Sequence, residues 1–450
     1  MIFADIKKRI TPARLFIAAF STLAVWGAFV LWSVDIYQSK LHSISITPFL
    51  FRHLVFVWIG IVGIVVSRRI DLTRTIARIP WWLWCGMSLL LTRELYHFLD
   101  KEHSFRPIYI PLAVLFDLVD GRNAAWLAGM FNPAILASLF FGCGLISWSQ
   151  NRLQANDGME DQRNISGIII SIAAIIMTIW LGSCADYSAM LLFVYICVAA
   201  SWVSGKRLHA ALFGSGFMLT QTALIVMRPH LLARMEKWFN GSDYEGISYH
   251  PLEMRHAFYN GGMFGNGPFS GLSEMNFIPE SHSSSTASVI ATEYGLTGFI
   301  VCIALWILVS YLCLKAMKVE KRTEVESTFG LLHLTSAITF CAVFSHFLFN
   351  TIISPLARFP LPLFSQSGLF TVIALLMIGL AYKSLRNESW ESIAICKLAL
   401  RSIIIAGVIC SSIVARAIYI TFDELPVYRT VAENRQMYAS VAGKYWQRWR

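Results

Sequence analysis

Charged side chains are scarce in this sequence. Asp, Glu, Lys and Arg make up 14% of its 450 residues, whereas apolar residues make up 56%. A soluble domain normally devotes about a quarter of its residues to charge. The shortage therefore excludes an ordinary soluble globular protein and indicates a polytopic membrane protein.

Cysteine is absent from the one long polar segment, residues 228–288, although the chain has nine cysteines. Seven of them lie within apolar runs and two at the ends of such runs, so we expect no disulfide framework. The four histidines of the segment, His230, His250, His256 and His282, do not follow a zinc-ligand spacing, and ordinary hydrogen bonding is the better interpretation.

Apolar runs long enough to cross a bilayer recur along the chain. A transmembrane helix needs about 20 mainly apolar residues. We therefore predict an all-α polytopic membrane protein with a core of ten helices, an eleventh C-terminal transmembrane helix and one large extracytoplasmic loop. The predicted spans are 14–33, 49–66, 80–98, 131–149, 165–184, 186–204, 208–227, 289–314, 328–349, 367–384 and 402–420.

Lys and Arg are concentrated in alternate short loops, which sets the orientation. With the N-terminus in the cytoplasm, all of these clusters face inward, and the loop 228–288 and the tail after Ile420 face outward. The formal net charge of +10 is thus explained by membrane anchoring, with no sign of nucleic-acid binding. The clusters contain Lys7, Lys8, Arg9, Arg68, Arg69, Arg74, Arg78, Lys206, Arg207, Lys315, Lys318, Lys321, Arg322, Lys383 and Arg386.

The large loop contains residues suited to chemistry on a polar ligand. Asp243 lies in the turn-like run W-F-N-G-S-D-Y-E-G, where a carboxylate can act as a general base or help to hold a metal ion on a diphosphate. A solvated turn aspartate is the plainer alternative. The run G-G-M-F-G-N-G supplies glycines that permit close approach to a ligand, although loop flexibility explains them equally well. The run F-I-P-E-S-H adds Glu280 and His282, and Glu293 follows at the start of the next span.

These motifs resemble the large extracellular loop of the SEDS family, the RodA- and FtsW-type peptidoglycan glycosyltransferases. The resemblance extends to F-R-H-L-V-F-V-W at the second span, to the A-D-Y-S-A run and to L-P-L-F-S-Q-S-G before the tenth span, so that it covers about ten spans in order. The loop positions that match the family are Trp238, Asn240, Asp243, Gly246, Tyr249, Gly261, Gly265, Gly267, Pro279, Glu280, His282, Glu293 and Gly295.

The resemblance implies an inverting glycosyltransferase that polymerises lipid II at the outer face of the bacterial inner membrane. By this resemblance Asp243 is the catalytic base toward the acceptor 4-hydroxyl, and undecaprenyl diphosphate leaves. A divalent cation, Mg²⁺ or Mn²⁺, is a candidate cofactor. The expected partners are the nascent glycan strand and a class B penicillin-binding protein. The residues expected to bind substrate are Arg52, Asp186, Arg228, Arg234, Trp238, Tyr249, Gly261, Gly265, Gly267, Glu280, His282 and Ser365.

Plainer roles remain open for the charged members of this set. Arg52 and Asp186 lie at span ends, where structural ion pairing competes with a functional role. Arg228 and Arg234 flank the loop and suit either a diphosphate or anchoring at the outer surface.

Departures from the family pattern favour a second class of function. The chain has Ile135 and Ser138 where the family has a glutamate and a lysine, Ser284 where it has an aspartate, and Glu274 where it has a basic residue. A non-catalytic scaffold or lipid II-binding regulator of a penicillin-binding protein is therefore the alternative. A lipid-linked oligosaccharide transporter is less favoured, because no internal repeat is visible.

The chain continues beyond the usual end of the family. We divide it into residues 1–386, the SEDS-like domain, and residues 387–450, which add a helix and an extracytoplasmic tail. The run Tyr428–Val441 is weakly similar to the segment after the membrane anchor of class B penicillin-binding proteins. No S-x-x-K motif is placed to serve a transpeptidase.

Overall fold

The structure is a computed structural model in which every described regular element is a helix. It describes residues 11–42, 48–100, 133–154, 160–183, 187–203, 249–269, 278–323, 330–355, 358–386 and 397–422, with isolated positions between 215 and 238. The helices are α1 Pro12–His42, α2 Pro48–Arg69, α3 Leu72–Arg78, α4 Trp81–Asp100, α5 Pro133–Gln154, α6 Glu160–Ser183, α7 Tyr187–Val203, α8 Tyr249–Gly261, α9 Thr286–Thr323, α10 Leu331–Asn350, α11 Gly368–Leu385 and α12 Lys397–Phe422.

Ten of the eleven predicted spans coincide with these helices, and the remaining one, 208–227, lies outside the described ranges apart from isolated positions. The prediction of an all-helical, multi-pass membrane protein is confirmed. Among the described residues, five helical stretches are long and apolar enough to cross a bilayer: Pro12–Ile36, Phe49–Arg69, Thr286–Val319, Leu331–Asn350 and Gly368–Leu385.

Local sequence explains where several helices begin. Thr11 precedes Pro12, and its hydroxyl accepts a hydrogen bond from the Arg14 amide at 3.3 Å. This arrangement combines a threonine N-cap with proline at the first helical position. Asp71 caps α3 in the same way, because its carboxylate accepts from the Arg74 amide at 3.2 Å.

The helices pack around two hydrophobic cores. One core is formed by α1, α8, α9, α10, α11 and α12, and the other by α4, α5, α6, α7, α10 and α11. Helix α10 belongs to both, and nearly all of its side chains are buried. Helix α12 contributes Cys410, Ile413, Ala417 and Ile420 to the first core, so the added C-terminal helix packs onto the rest of the protein.

Helix α8 was not expected from the sequence, because residues 228–288 were interpreted as one long polar loop without obvious secondary structure. The prediction of an irregular loop is therefore wrong for residues 249–261. Helix α8 packs against α9 and α12, and seven of its residues are buried, including Glu253 and Met254. Tertiary packing stabilises this short, polar segment as a helix, since isolated helices of this length are marginal in water.

Candidate functional site

Helix α9 is broken at Gly295, and the glycine-rich run after α8 fills the break. Gly295 has φ 66° and ψ −169°, which interrupts the helix. The Leu296 amide donates to the Gly262 carbonyl at 2.9 Å, and the Gly267 amide donates to the Glu293 carbonyl at 2.9 Å. Backbone groups at membrane depth need partners within the protein. The two segments satisfy each other, which places residues 261–269 against a transmembrane helix.

The glycines of this run are explained by contact with α9. A Cβ atom on Gly261 would lie 1.9 Å from the Ala291 carbonyl oxygen, and one on Gly265 would lie 2.2 Å from that of Glu293. Only a residue without a side chain permits this approach. The close neighbour of these glycines is thus the protein's own backbone, and contact of Gly261, Gly265 and Gly267 with substrate stays a prediction.

Glu293 joins three segments at the break. Its Oε1 atom accepts hydrogen bonds from the Ser33 hydroxyl of α1 and from the Phe269 amide, the latter at 3.2 Å. Its side chain is buried, and Oε2 has no hydrogen-bond partner within the described residues. Sequence reasoning noticed this glutamate but did not place it among the site residues. Its contact with Ser33, which lies 260 residues earlier in the chain, could not be read from the sequence.

The turn before α9 holds Glu280 in a left-handed conformation with φ 52°. Its carboxylate accepts a hydrogen bond from the Ser284 hydroxyl and lies 3.7 Å from Nη1 of Arg358. The serine in place of the family's aspartate therefore adds a donor beside Glu280, where a second carboxylate would repel it. Arg358 was missed by sequence reasoning, although it is a lone cation in the apolar run before the tenth span.

His282 lies where this turn meets the beginning of α2 and the segment before α11. Its ring stacks on Phe49, with centroids 4.5 Å apart and planes inclined by 6°. Its carbonyl accepts from the Gln366 amide at 3.0 Å, and Arg52 Nη1 donates to the Gln366 side chain at 3.3 Å. The structure thus brings Arg52 and His282, two predicted site residues, to one place through Phe49 and Gln366.

Burial is the main cause that lowers the pKa of His282. The positive charge of Arg52 lowers this pKa further, and the carboxylate of Glu280 opposes the shift. At neutral pH the imidazole is therefore uncharged. Its ring can accept or donate a hydrogen bond to a sugar hydroxyl, but it does not contribute a positive charge to the site.

Asp35 and His53 hold the N-terminal part of α2 in place. The Asp35 carboxylate accepts from the amides of Phe49 and Leu50 at 3.0 and 2.6 Å, which satisfies helix-terminal donors. His53 Nδ1 lies 3.2 Å from the Ser365 carbonyl oxygen. Ser365, a predicted substrate residue, is fully buried, and its hydroxyl has no partner among the described residues. Asp35 was missed because the predicted first span ends at residue 33, whereas α1 continues to His42 and includes this ionisable residue.

The beginning of α9 is held by two buried side chains of α10. His346 Nε2 accepts from the Ala287 amide at 3.2 Å while its Nδ1 contacts the Phe359 carbonyl at 2.7 Å. Asn350 accepts from the Ser288 amide at 3.2 Å and donates to the Ser284 carbonyl at 2.9 Å. Both side chains therefore hold the beginning of α9 in place beside the Glu280 turn.

Two further predicted residues have structural neighbours. Trp238 is buried, and its ring lies 5.1 Å from that of Phe349, over which the Arg358 guanidinium also lies at 5.6 Å. Tyr249 is the partly buried first residue of α8, and its ring lies edge-on to that of His250 at 6.4 Å. Trp238 thus packs against Phe349, the ring over which the Arg358 guanidinium lies.

Four predicted residues lie outside the described residues, namely Asp243, Asp186, Arg228 and Arg234. Within the described part, no group of three His, Cys, Asp or Glu side chains is arranged to hold a metal ion. The seven cysteines in this part are buried and unpaired by disulfides. The divalent cation stays a prediction that depends on residues outside these ranges, above all Asp243.

Comparison with known proteins gives consistent matches. The family model for the cell cycle proteins FtsW, RodA and SpoVE matches residues 131–389. The chain is 26% identical over 345 residues to a probable peptidoglycan glycosyltransferase FtsW of Trichlorobacter lovleyi, covering 74% of this chain and 82% of that protein. It is 33% identical over 141 residues to the peptidoglycan glycosyltransferase MrdB of Escherichia coli K12, covering 31% and 36%.

The extent of these matches varies. A probable FtsW of Francisella salina is matched over only 47% of its length, at 26% identity and over 42% of this chain. The chain is also similar to a chain of known structure, with a TM-score of 0.49 and 13% identity. The match covers 83% of this chain and 97% of that one, which was reported as "Structural coordination of polymerization and crosslinking by a peptidoglycan synthase complex".

Proposed function

The chain belongs to the FtsW, RodA and SpoVE family of cell cycle proteins, and we propose on this basis that it is a peptidoglycan glycosyltransferase. It polymerises lipid II into glycan strands at the outer face of the bacterial inner membrane, in elongation or division. The observation that carries the proposal is the family match over residues 131–389, which includes the broken helix, the glycine-rich run and the Glu280 turn. Relatives named as peptidoglycan glycosyltransferases support it.

The reaction needs a base, and Asp243 is the proposed one. It takes the proton of the acceptor 4-hydroxyl as that oxygen attacks the anomeric carbon of the growing chain. The new C–O bond forms as the bond from the anomeric carbon to the diphosphate oxygen breaks, and undecaprenyl diphosphate leaves with the electron pair. A positioned general base typically contributes about 10²–10⁴ in rate.

The leaving diphosphate must be stabilised by positive charge. Two guanidinium groups lie at the Glu280–His282 turn: Arg358 is 3.7 Å from Glu280, and Arg52 donates to Gln366, whose backbone amide donates to the His282 carbonyl. Planar guanidinium groups bind phosphate oxygens bidentately, so we assign them to the diphosphate together with Arg228 and Arg234. A cation held by Asp243 would add charge there, but no step in this mechanism depends on it.

Phe49 and His282 complete the proposed substrate surface. Their stacked rings form a flat, partly apolar pair between Arg52 and the Glu280 turn. Aromatic faces of this kind pack against the apolar faces of sugar rings, and the neutral imidazole adds a hydrogen-bonding edge. We propose that this pair orients one disaccharide unit.

A non-catalytic scaffold is the second candidate, and two departures from the family support it. Ile135 packs at the edge of the second core, and Ser138 is buried with its hydroxyl 3.5 Å from the Ala189 carbonyl oxygen. The glutamate and lysine expected there are thus replaced by residues that fit an uncharged helix interface. A scaffold would bind lipid II or a penicillin-binding protein without joining sugars.

The deciding experiment is a lipid II polymerisation assay on purified protein, with and without a class B penicillin-binding protein. Wild type should form glycan strands, and Asp243→Ala or Asp243→Asn should lose at least about 10²-fold in rate. Asp71→Asn is the matched control, because Asp71 is an exposed helix cap that asparagine can replace. No product from wild type under any condition, with retained lipid II binding, would establish the scaffold instead.

A further inference from the structure

The glycine-rich run after α8 contains a tight turn that projects two apolar side chains. The Gly265 amide donates to the Gly261 carbonyl at 2.8 Å, which closes the turn around Met263 and Phe264. Gly262 and Gly265 flank this pair with φ 53° and 77°, a conformation that glycine adopts without strain. Met263 and Phe264 are 42% and 80% exposed, and the value for Phe264 is the highest of the large apolar side chains in the described part. The turn therefore presents an apolar tip outside the packed cores.

Two helices place this tip at the same depth in the membrane. An α-helix rises about 1.5 Å per residue, so about 20 residues cross the hydrocarbon core of about 30 Å. Trp32 lies 20 residues after Pro12, the first residue of α1, and Gly295 lies 20 residues before Lys315, whose cluster the positive-inside rule assigns to the cytoplasm. Trp32 and Gly295 both contact the glycine-rich run. Both helices therefore put the run at the outer boundary of the hydrocarbon core.

The tip lies on the side of α9 that faces lipid. The Met263 carbonyl accepts a hydrogen bond from the Thr297 amide at 3.1 Å. Thr297 begins a stripe at helical spacing that continues through Val301 and Ala304, and both of these residues are exposed. An exposed apolar stripe on a membrane-spanning helix contacts the acyl chains of the bilayer. The apolar tip therefore lies at the outer end of a lipid-facing stripe.

The sequence around the tip carries no charge. Between His256 and Glu274 there is no Asp, Glu, Lys or Arg, although the segments on either side of this stretch, within residues 228–288, contain all four. Charged side chains are costly close to hydrocarbon, and their absence here suits contact with the bilayer. A tip that protruded into water would have no need of this uncharged stretch.

We propose that Met263 and Phe264 form an interfacial anchor that inserts into the outer leaflet of the bilayer. The occupant of this surface is bulk phospholipid, at the level where headgroups meet acyl chains. Interfacial elements typically bury their apolar side chains about 5–10 Å into this boundary. Because backbone hydrogen bonds join the turn to α9, insertion holds the glycine-rich run and the break in α9 at a fixed depth. The inference depends on the membrane orientation and not on the proposed enzymatic function.

The depth of the tip can be measured with nitroxide spin labels on the full-length protein in phospholipid nanodiscs. Labels are attached at Phe264→Cys, at Val301→Cys as the hydrocarbon reference, and at Asn260→Cys, an exposed polar position at the end of α8, as the water reference. Cys184→Ser and Cys396→Ser reduce the background. Collisions are compared for O₂, which concentrates in hydrocarbon, and for a water-soluble nickel chelate. We expect the Phe264→Cys label to collide more with O₂, as Val301→Cys does, and the Asn260→Cys label to collide more with nickel.

Two results of this measurement would overturn the proposal. If the Phe264→Cys label collides with the nickel chelate as often as the Asn260→Cys label does, the tip lies in water. If the Phe264→Cys label is immobilised and collides with neither reagent, the tip packs against a polypeptide. Neither result involves lipid II, so the anchor and the polymerase function can fail independently of each other.

Hydrogen exchange tests the native ring without a label. In nanodiscs, Phe264→Asn should speed the exchange of amides in the run, such as that of Gly265, about tenfold, because exchange follows the free energy of local opening. Phe264→Trp should exchange like wild type, since tryptophan also suits the membrane interface. Asn260→Ala is the control and should leave the run unchanged, and unchanged exchange in α10 would show that each variant is folded. Equal exchange in Phe264→Asn and wild type would reject the anchor.

Discussion

The backbones of Gly265 and Gly295 are in direct contact, the first in the glycine-rich run and the second in the break of α9. Both have positive φ, 77° and 66°, and a Cβ atom on Gly295 would lie 2.4 Å from the Gly265 amide nitrogen. This contact closes the junction between the loop and the membrane helix. It makes the geometry of the candidate site depend on two residues that carry no chemistry.

Gly295→Ala should therefore destabilise the protein. The strained backbone alone costs about 1–3 kcal/mol, and the clash with Gly265 adds to it. Thermal unfolding in detergent should show a lower midpoint and reduced polymerisation. Gly86→Ala is the control, because a Cβ atom at Gly86 would meet nothing within 4 Å and alanine favours the helix. Equal unfolding midpoints for wild type and Gly295→Ala would contradict this account of the junction.

Acidification should weaken the fold through His282. Its pKa is lowered in the folded state, chiefly by burial, so the unfolded chain takes up its proton first as pH falls. The stability is therefore full above the unfolded pKa of about 6.5 and is lost progressively below it. His282→Phe keeps a ring against Phe49 and removes the proton site. Its unfolding midpoint should fall less steeply between pH 7 and 5 than that of wild type, and identical slopes would refute the assignment.

The added helix α12 should stabilise α8. Its buried face contacts α8 and α9, and a tethered helix acts at roughly millimolar local concentration. Truncation after Arg386 should leave membrane insertion intact, lower the unfolding midpoint, and expose a surface that captures a class B penicillin-binding protein in crosslinking. Truncation after Phe422 removes only the tail and is the control. If both truncations behave alike, with wild-type activity and partners, α12 has no such role.

The orientation of the chain is testable with single cysteines. Ser242→Cys and Ser440→Cys should react with a membrane-impermeant maleimide added outside intact cells, because the Lys and Arg clusters place both segments outside. The seven described native cysteines are buried, and Cys184→Ser and Cys396→Ser remove the other two from the background. Protection at both positions would reject the eleven-span topology, and protection at Ser440 alone would place the tail in the cytoplasm.

Much of the fold was predictable because its signal is local. Span positions follow from the length of apolar runs, and the described helices match ten of the eleven predicted spans. Helix α8 was missed although Pro251, Met254, Phe258 and Gly261 recur on one buried face, because the 13-residue segment is short, polar on average and far from any membrane-length apolar run. The family itself was recognisable from motif spacing in residues 228–295, since the loop retains the order of Trp238, Glu280 and His282.

What the sequence by itself determined was the class of protein, its spans and the segments that hold polar chemistry, because hydropathy and motif spacing are properties of neighbouring residues. Only the tertiary structure decided which of those polar residues meet. Ser33 reaches Glu293 across 260 residues, and Arg52 reaches Gln366 across 314. Such contacts depend on how helices pack and where one of them breaks, and helix packing is set by the combined shape of many side chains. For that reason the contacts of Asp35 with the beginning of α2 and of Arg358 with Glu280 emerged only when the chain was folded.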